Sequence, residues 1–214
     1  MRTRYLVSAA VLALVIPATA AAKDVVINAN GNAFTGGLSF TPGATTAKVG
    51  DTVSWKNTDP LAPHTSTEIH DLWNVAGDNL GPPITPVPGY APGATASRPG
   101  FEAGTHSYYC VIHGAAAMSG TIGVPVDLKI KDLPEPKGGL VLVRWAPKKE
   151  AGRVFDVQRR RTDSKTWITV EKGTKKPKGS FDPGADGGIW KVRARMRSTD
   201  DPTAATGWSP VAKI

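Results

Sequence analysis

Residues 104–124 read GTHSYYCVIHGAAAMSGTIGV. Gly104 to Cys110 alternates in the manner of a half-buried strand and delivers a cysteine at its end, and Met118 to Val124 opens the next strand. Between those two feet lies a short loop carrying His113. Cys110, His113 and Met118 are therefore spaced C-x2-H-x4-M across one loop, which is the placement a shared metal ion needs. A further imidazole, His64, stands upstream in APHTS.

Cys110 is the only cysteine of the 214-residue chain. Structural disulfides need pairs, so its sulfur is a buried thiol, an intermolecular link or a ligand. Its neighbours favour the ligand. Met1 and Met196 aside, the one methionine of the chain falls inside the cysteine loop. A thiolate, two imidazoles and a thioether make up the donor set of copper sites with a His2Cys plane and a weak axial Met. Structural zinc also accepts Cys and His, but it seldom uses Met and usually takes two or more thiolates. A Cys–His nucleophile pair requires a cleft with an oxyanion site, and Met118 would then have no task. The chain reads as a non-enzyme.

Composition agrees with an all-β chain. Eighteen prolines and 23 glycines call for many turns between short elements. DVVINA at 24–29 and DTVSWKN at 51–57 read as strands, separated by turn signals at Gly36-Gly37, Pro42-Gly43 and Gly50-Asp51. Val53 and Trp55 share a face of the second. His64 follows Pro63, which places it on the loop after that strand. His70 and His106 are expected to be solvated or satisfied histidines. Residues 65–103 are the least regular part, with a Pro/Gly-rich stretch, GPPITPVPGYAPG, expected as a surface loop and a short helical turn expected at Asp71 to Trp73.

The amino terminus has the form of a targeting segment over 1–22. Arg2 and Arg4 give the charged region, Tyr5 to Ile16 the apolar run, and Ala18-Thr19-Ala20 or Ala20-Ala21-Ala22 the small-residue cleavage site. That run is too short for a comfortable membrane span. The expected product starts near Ala21 or Lys23 and is secreted, extracellular or periplasmic, with no lipid-bearing cysteine near the cleavage site.

Residues 24–126 resemble a small cupredoxin of the plastocyanin and pseudoazurin type. Two motifs carry the resemblance: Gly50-Asp51-Thr52-Val53-Ser54-Trp55-Lys56-Asn57 running on to Pro63-His64, and Tyr108-Tyr109-Cys110-Val111-Ile112-His113 running on to Met118-Ser119-Gly120. The resemblance implies a Greek-key β-sandwich and one type 1 copper. His64, Cys110 and His113 would be its equatorial ligands and Met118 its axial one. It further implies electron exchange with a redox protein docking near His113, whose flank is Ala115, Ala116 and Ala117. The same ligands would serve a protein that scavenges or delivers copper without an electron-transfer partner. No second metal cluster is visible, so a multicopper oxidase or a copper nitrite reductase is not indicated.

From Asp127 onward the character changes. Residues 23–126 hold four Lys/Arg against seven Asp/Glu, and residues 127–214 hold twenty against eleven. This places a domain boundary near Val124 to Asp127, giving units of 23–126 and 127–214. GLVLVRWAP (139–147), RVFDVQRRR (153–161), TWITV (166–170) and IWKVRARMRS (189–198) each alternate at period two. In the last, Val192, Ala194 and Met196 share the core face, opposite Lys191, Arg193, Arg195 and Arg197. Strand spacing, Trp145 and the closing Gly207-Trp208-Ser209-Pro210 make 127–214 resemble a fibronectin type III domain, with Trp190 where that family usually has a tyrosine. The arginine strip, with Arg159 to Arg161 and the KKPK run at 175–178, is either a solvated face or a surface for an anionic polymer: cell-wall phosphate, acidic polysaccharide or extracellular DNA. Nucleic acid is not an expected partner for a secreted chain with no aromatic interleaving on that strip.

Overall fold

Alternating burial is clearest in one strand of each half. In β8 (Gly104–Tyr109) the buried residues are Gly104, His106 and Tyr108, and the alternation continues to Cys110. In β15 (Trp190–Ser198) Trp190, Val192, Ala194 and Met196 turn inward. This period of two assigns one face of each strand to a core and the other to water or a neighbouring segment. The computed structural model describes residues 22–32, 36–76, 89–132, 139–184 and 188–214. The targeting segment expected over 1–22 lies almost wholly outside the described residues, as do residues 81–88 of the Pro/Gly-rich stretch. Among the described residues the fold is all-β, with no helix. None is therefore long and apolar enough to cross a membrane.

The strands before and after Pro125 fall into separate pairs of sheets. Ahead of it, β1 (Asp24–Asn32), β2 (Gly36–Thr41), β4 (Thr52–Asn57) and β7 (Thr95–Arg98) form one sheet in the order β2-β1-β4-β7, with β1 and β4 parallel. The facing sheet runs β3-β9-β8-β5-β6, with β3 (Ala44–Thr46), β5 (Ser66–Glu68), β6 (Asn74–Val75) and β9 (Ser119–Val124). Rings close the space between them: Trp55 of β4 and Phe40 of β2 pack on Tyr108 of β8 at 5.6 and 4.8 Å between centroids. Trp73 and Phe101 complete the cluster. Each such ring removed from water contributes on the order of 2 to 3 kcal/mol.

Val53 and Trp55 are both fully buried, as their shared strand face requires. Asp71 to Trp73 form no helical turn. Asp71 has a positive φ of 56°, and the Asp71 N–H donates to Glu68 O, closing a tight turn after β5 that drops Leu72 and Trp73 into the core. Burial of two large apolar side chains outweighs the helical option that sequence spacing left open.

Beyond Pro125, β10 (Asp127–Asp132), β11 (Gly139–Arg144) and β14 (Lys178–Phe181) make a three-stranded sheet. Opposite it lie β13 (Ile168–Thr174), β12 (Arg153–Arg161), β15 and β16 (Ala212–Lys213), in that order. Phe181 and Trp190 meet edge to face between the two sheets at 5.5 Å. Met196 is fully buried and belongs to this core. Trp145 is buried too and donates its indole N–H to Lys176 O at 2.6 Å.

The two halves lie against each other along β8 and β9. Thr105 and Gly207 exchange backbone hydrogen bonds of 2.9 and 3.0 Å, and the Thr105 hydroxyl donates to Trp208 O at 2.8 Å. Glycine makes that approach feasible. A Cβ at Gly104 would stand 2.6 Å from Thr206 Oγ1, and one at Gly123 would stand 2.9 Å from Pro210 Cγ.

Candidate metal centre

Cys110 sits just past β8, Met118 just before β9, and the Cys110 N–H donates to Met118 O at 3.0 Å. The loop between them is wound by its own backbone. The His113 and Gly114 N–H groups both donate to Cys110 O, and the Met118 N–H donates to Gly114 O. Gly114 has a φ of 79°, which a Cβ-bearing residue rarely adopts, so glycine lets the loop reverse there.

His64 comes from the other side. It lies between β4 and β5 in an antiparallel bridge with Tyr90, with Tyr90 N–H to His64 O at 2.7 Å and His64 N–H to Tyr90 O at 3.2 Å. The result brings three ligand atoms together: one from each of His64, Cys110 and His113, all within 4.8 Å of one another. Cys110 Sγ is 3.3 Å from His113 Nδ1 and 3.8 Å from His64 Nδ1. The two imidazole centroids are 4.9 Å apart. Cys110 is a buried free thiol, so neither a disulfide nor an exposed reactive cysteine describes it. Met118 is brought beside it through the paired backbone, with its side chain buried. His64 is fully buried while His113 is partly exposed, so one imidazole is sealed and the other reaches the surface.

The remaining histidines do other work. His70 is exposed. His106 is enclosed, accepting from Trp73 Nε1 at Nδ1 (3.1 Å) and donating from Nε2 to Glu102 O (3.0 Å). Burial pushes its pKa down to about 4, against the pull of the Glu102 carbonyl.

Three residues that sequence reading did not single out shape the site. Asn57 braces the approach to His64: its amide donates to Ala62 O and Tyr90 O, both at 2.9 Å, and its oxygen accepts from the Asp59 N–H. Thr65 points its N–H at Cys110 Sγ from 3.4 Å and accepts from the Val111 N–H at its hydroxyl, 2.8 Å away. Asp59 accepts from the Leu61 and Ala62 N–H groups at Oδ1 and turns Oδ2 toward His64 Nε2, 3.4 Å away. Burial lowers the His64 pKa, reinforced by the nearby His113 and opposed by Asp59, which favours the neutral imidazole that ligates metals. Burial raises the Asp59 pKa, but the two backbone donors and His64 outweigh it and hold the carboxyl below its usual range. The sequence signal for Asn57 and Asp59 was the polar run NTDP, and for Thr65 only its place after His64; such residues ordinarily mark turns.

The basic strip of β15 is not a row of free cations. Arg195 and Arg197 both close on Asp156, at 3.0 and 2.8 Å. Burial pushes that carboxyl up, yet Arg197, the Gly173 N–H and Arg195 together hold it at about 2. Arg193 bonds Gln158 and lies between the rings of Trp167 and Trp208, 4.0 and 4.4 Å from their centroids. Arg195 covers the same Trp208, and Arg160 covers Trp167. The strip expected to lack aromatic interleaving therefore has it, because Trp167 and Trp208 reach it from neighbouring segments. Positive charge is less committed elsewhere: Lys23, Lys48, Lys129, Lys178 and Arg144 line a cleft of about 1020 Å³ between the two halves, and among the described residues only Arg144 of these forms an ion pair, with Asp127.

No protein-family model matches the sequence. Solved structures similar to part of the chain include the Cu(I) form of a methionine-to-alanine mutant of amicyanin. It is 26% identical, with 49% of this chain and 84% of that one covered at a TM-score of 0.34. A Cu(I) methionine-to-glutamine mutant of amicyanin is 24% identical, with coverage of 47% and 81% and a TM-score of 0.33. A purple cupredoxin from Nitrosopumilus maritimus is 26% identical, with coverage of 47% and 99% and a TM-score of 0.34. At such TM-scores the likeness fixes neither fold nor function, and the chemistry of the site stands on its own donors and distances.

Proposed function

We propose that residues 23–126 hold one type 1 copper and carry single electrons outside the cytoplasm, with residues 127–214 as an accessory fibronectin type III-like β-sandwich. One observation carries the reading: a buried thiol and two imidazoles converge within 4.8 Å, at the feet of a loop whose other end is a buried methionine. His64, Cys110 and His113 fit as equatorial ligands and Met118 as the weak axial one, and this donor set suits copper better than zinc. Copper bound there would supply a Cu(II)/Cu(I) couple. The protein's part is to keep the donors in one arrangement for both oxidation states. Strand ends and backbone-wound loops do this here, and the Thr65 N–H moderates the charge on sulfur.

His113 offers the route for the electron. It is the partly exposed ligand, and the adjoining Ile112, Ala115, Ala116 and Ala117 are exposed and apolar, a surface suited to brief docking of a redox protein. Burial of His64, Cys110 and Met118 favours a retained ion over copper delivery. Among the described residues the strands of the second half stand three against four, which supports the type III reading, and the lysine-lined cleft between the halves is the better candidate for an anionic polymer than the arginine strip. Repeated oxidation and reduction in the presence of a competing chelator tests the proposal. An electron carrier keeps its copper through many cycles, whereas steady loss of metal to the chelator would identify a copper carrier.

A further inference from the structure

Asp59 Oδ2 and His64 Nε2 are both buried, and neither has a hydrogen-bond partner among the described residues. They face each other across 3.4 Å. A buried carboxylate oxygen and a buried ring nitrogen left alone are each costly, and the opposing atom is the one complement available to either. The other oxygen of Asp59 is already committed to the N–H groups of Leu61 and Ala62, at 2.8 and 3.1 Å. The carboxylate therefore cannot rotate without breaking the turn that leads into Pro63 and His64.

We infer that Asp59 is a positioning residue: by accepting the proton at His64 Nε2 it fixes the tautomer that leaves Nδ1 bare and directed at Cys110 Sγ. This rests on the copper reading above and adds to it which side chain sets the ligand's tautomer. Nδ1 is the nitrogen on the Cys110 side, 3.8 Å from the sulfur. A proton there would occupy the lone pair that a metal needs. Carboxylates that bond the far nitrogen of a ligating histidine fix its orientation and raise its basicity, and losing one weakens metal binding by roughly 10- to 100-fold.

The pinned oxygen makes the test sharp. In Asp59→Asn the amide oxygen must take the place facing the Leu61 and Ala62 N–H groups, because an NH2 group there would oppose two donors. The NH2 then faces His64 Nε2 and requires it to be an acceptor, which drives the ring proton onto Nδ1. Nitrogen-15 NMR of the copper-free protein reads the tautomer directly, and chelator competition reads the Cu(II) affinity. The expected result is an Nε2–H tautomer in the wild type, Nδ1–H in Asp59→Asn, and Cu(II) binding about 10- to 100-fold weaker in the variant. A merely structural role in the turn predicts the opposite, since asparagine retains the turn and both readings would stay as in the wild type. Either reading unchanged in Asp59→Asn overturns the inference. Should that variant fail to fold, an Nδ1–H tautomer in the wild type overturns it alone. Failure of the copper reading shows separately, as a wild-type protein that binds no Cu(II) while its His64 tautomer still answers to Asp59.

Discussion

Thr65 holds Cys110 from the segment leading into β5, the strand beside β8: its backbone N–H points at the sulfur from 3.4 Å while its hydroxyl accepts from the Val111 N–H at 2.8 Å. One residue thus sets a donor N–H against the sulfur and ties down Val111, the first residue after Cys110. Thr65→Val keeps the N–H contact and removes the hydroxyl, which also lies 3.9 Å from the sulfur, leaving the partly buried Val111 N–H without its acceptor. The copper-free variant is expected to lose about 1 to 2 kcal/mol in denaturant unfolding, with the visible spectrum of the copper form retained. A loss under a few tenths of a kcal/mol would contradict the role given to the hydroxyl.

Met118→Gln addresses the axial position. An amide oxygen is a harder donor than a thioether and stabilises Cu(II) relative to Cu(I). The variant is expected to retain copper and to show a lower reduction potential by voltammetry. An unchanged potential would remove Met118 from the metal's surroundings.

Acid should act on the core through His106. The unfolded chain takes up this proton near pH 6.5 and the folded one only near pH 4, because burial disfavours the imidazolium. Between those values the unfolded state binds more protons, so stability falls as pH falls, by a total of about 3 kcal/mol. Glu102, pushed up to about 7 by burial against the pull of Arg98, works in the other sense over an overlapping range. The clean measurement is therefore a difference: the pH slope of unfolding free energy in the wild type minus that in His106→Gln. Equal slopes would show that His106 is not held neutral.

The strands and the loop that carries Cys110, His113 and Met118 were legible because each left a local mark. Period-two alternation in IWKVRARMRS predicted the inward face of β15, and the C-x2-H-x4-M spacing put Cys110 and Met118 at the feet of adjoining strands. What escaped was decided by partners distant in sequence. Asp59 and Thr65 look like any turn-forming polar residues until the fold brings His64 and Cys110 against them. Arg193, Arg195 and Arg197 read as a free basic face because Asp156, Trp167 and Trp208 come from other segments. At Asp71 to Trp73 local spacing suggested a helical turn, and the core claimed Leu72 and Trp73 instead.

Contact between the halves depends on the missing side chain at Gly123. The Cβ of a valine there would stand 2.9 Å from Pro210 Cγ, so the closing segment must shift. Gly123→Val is expected to destabilise the protein by about 1 to 3 kcal/mol while leaving the copper spectrum intact. Wild-type stability in thermal unfolding would mean that the close approach contributes nothing.

The most direct measurement is titration of the purified copper-free protein with Cu(II), followed by visible absorption. One equivalent is expected to produce an intense thiolate-to-copper charge-transfer band that is absent from Cys110→Ser, whose fold should remain. A wild-type protein that stays colourless, or a band that survives in Cys110→Ser, would contradict a copper centre built on His64, Cys110, His113 and Met118.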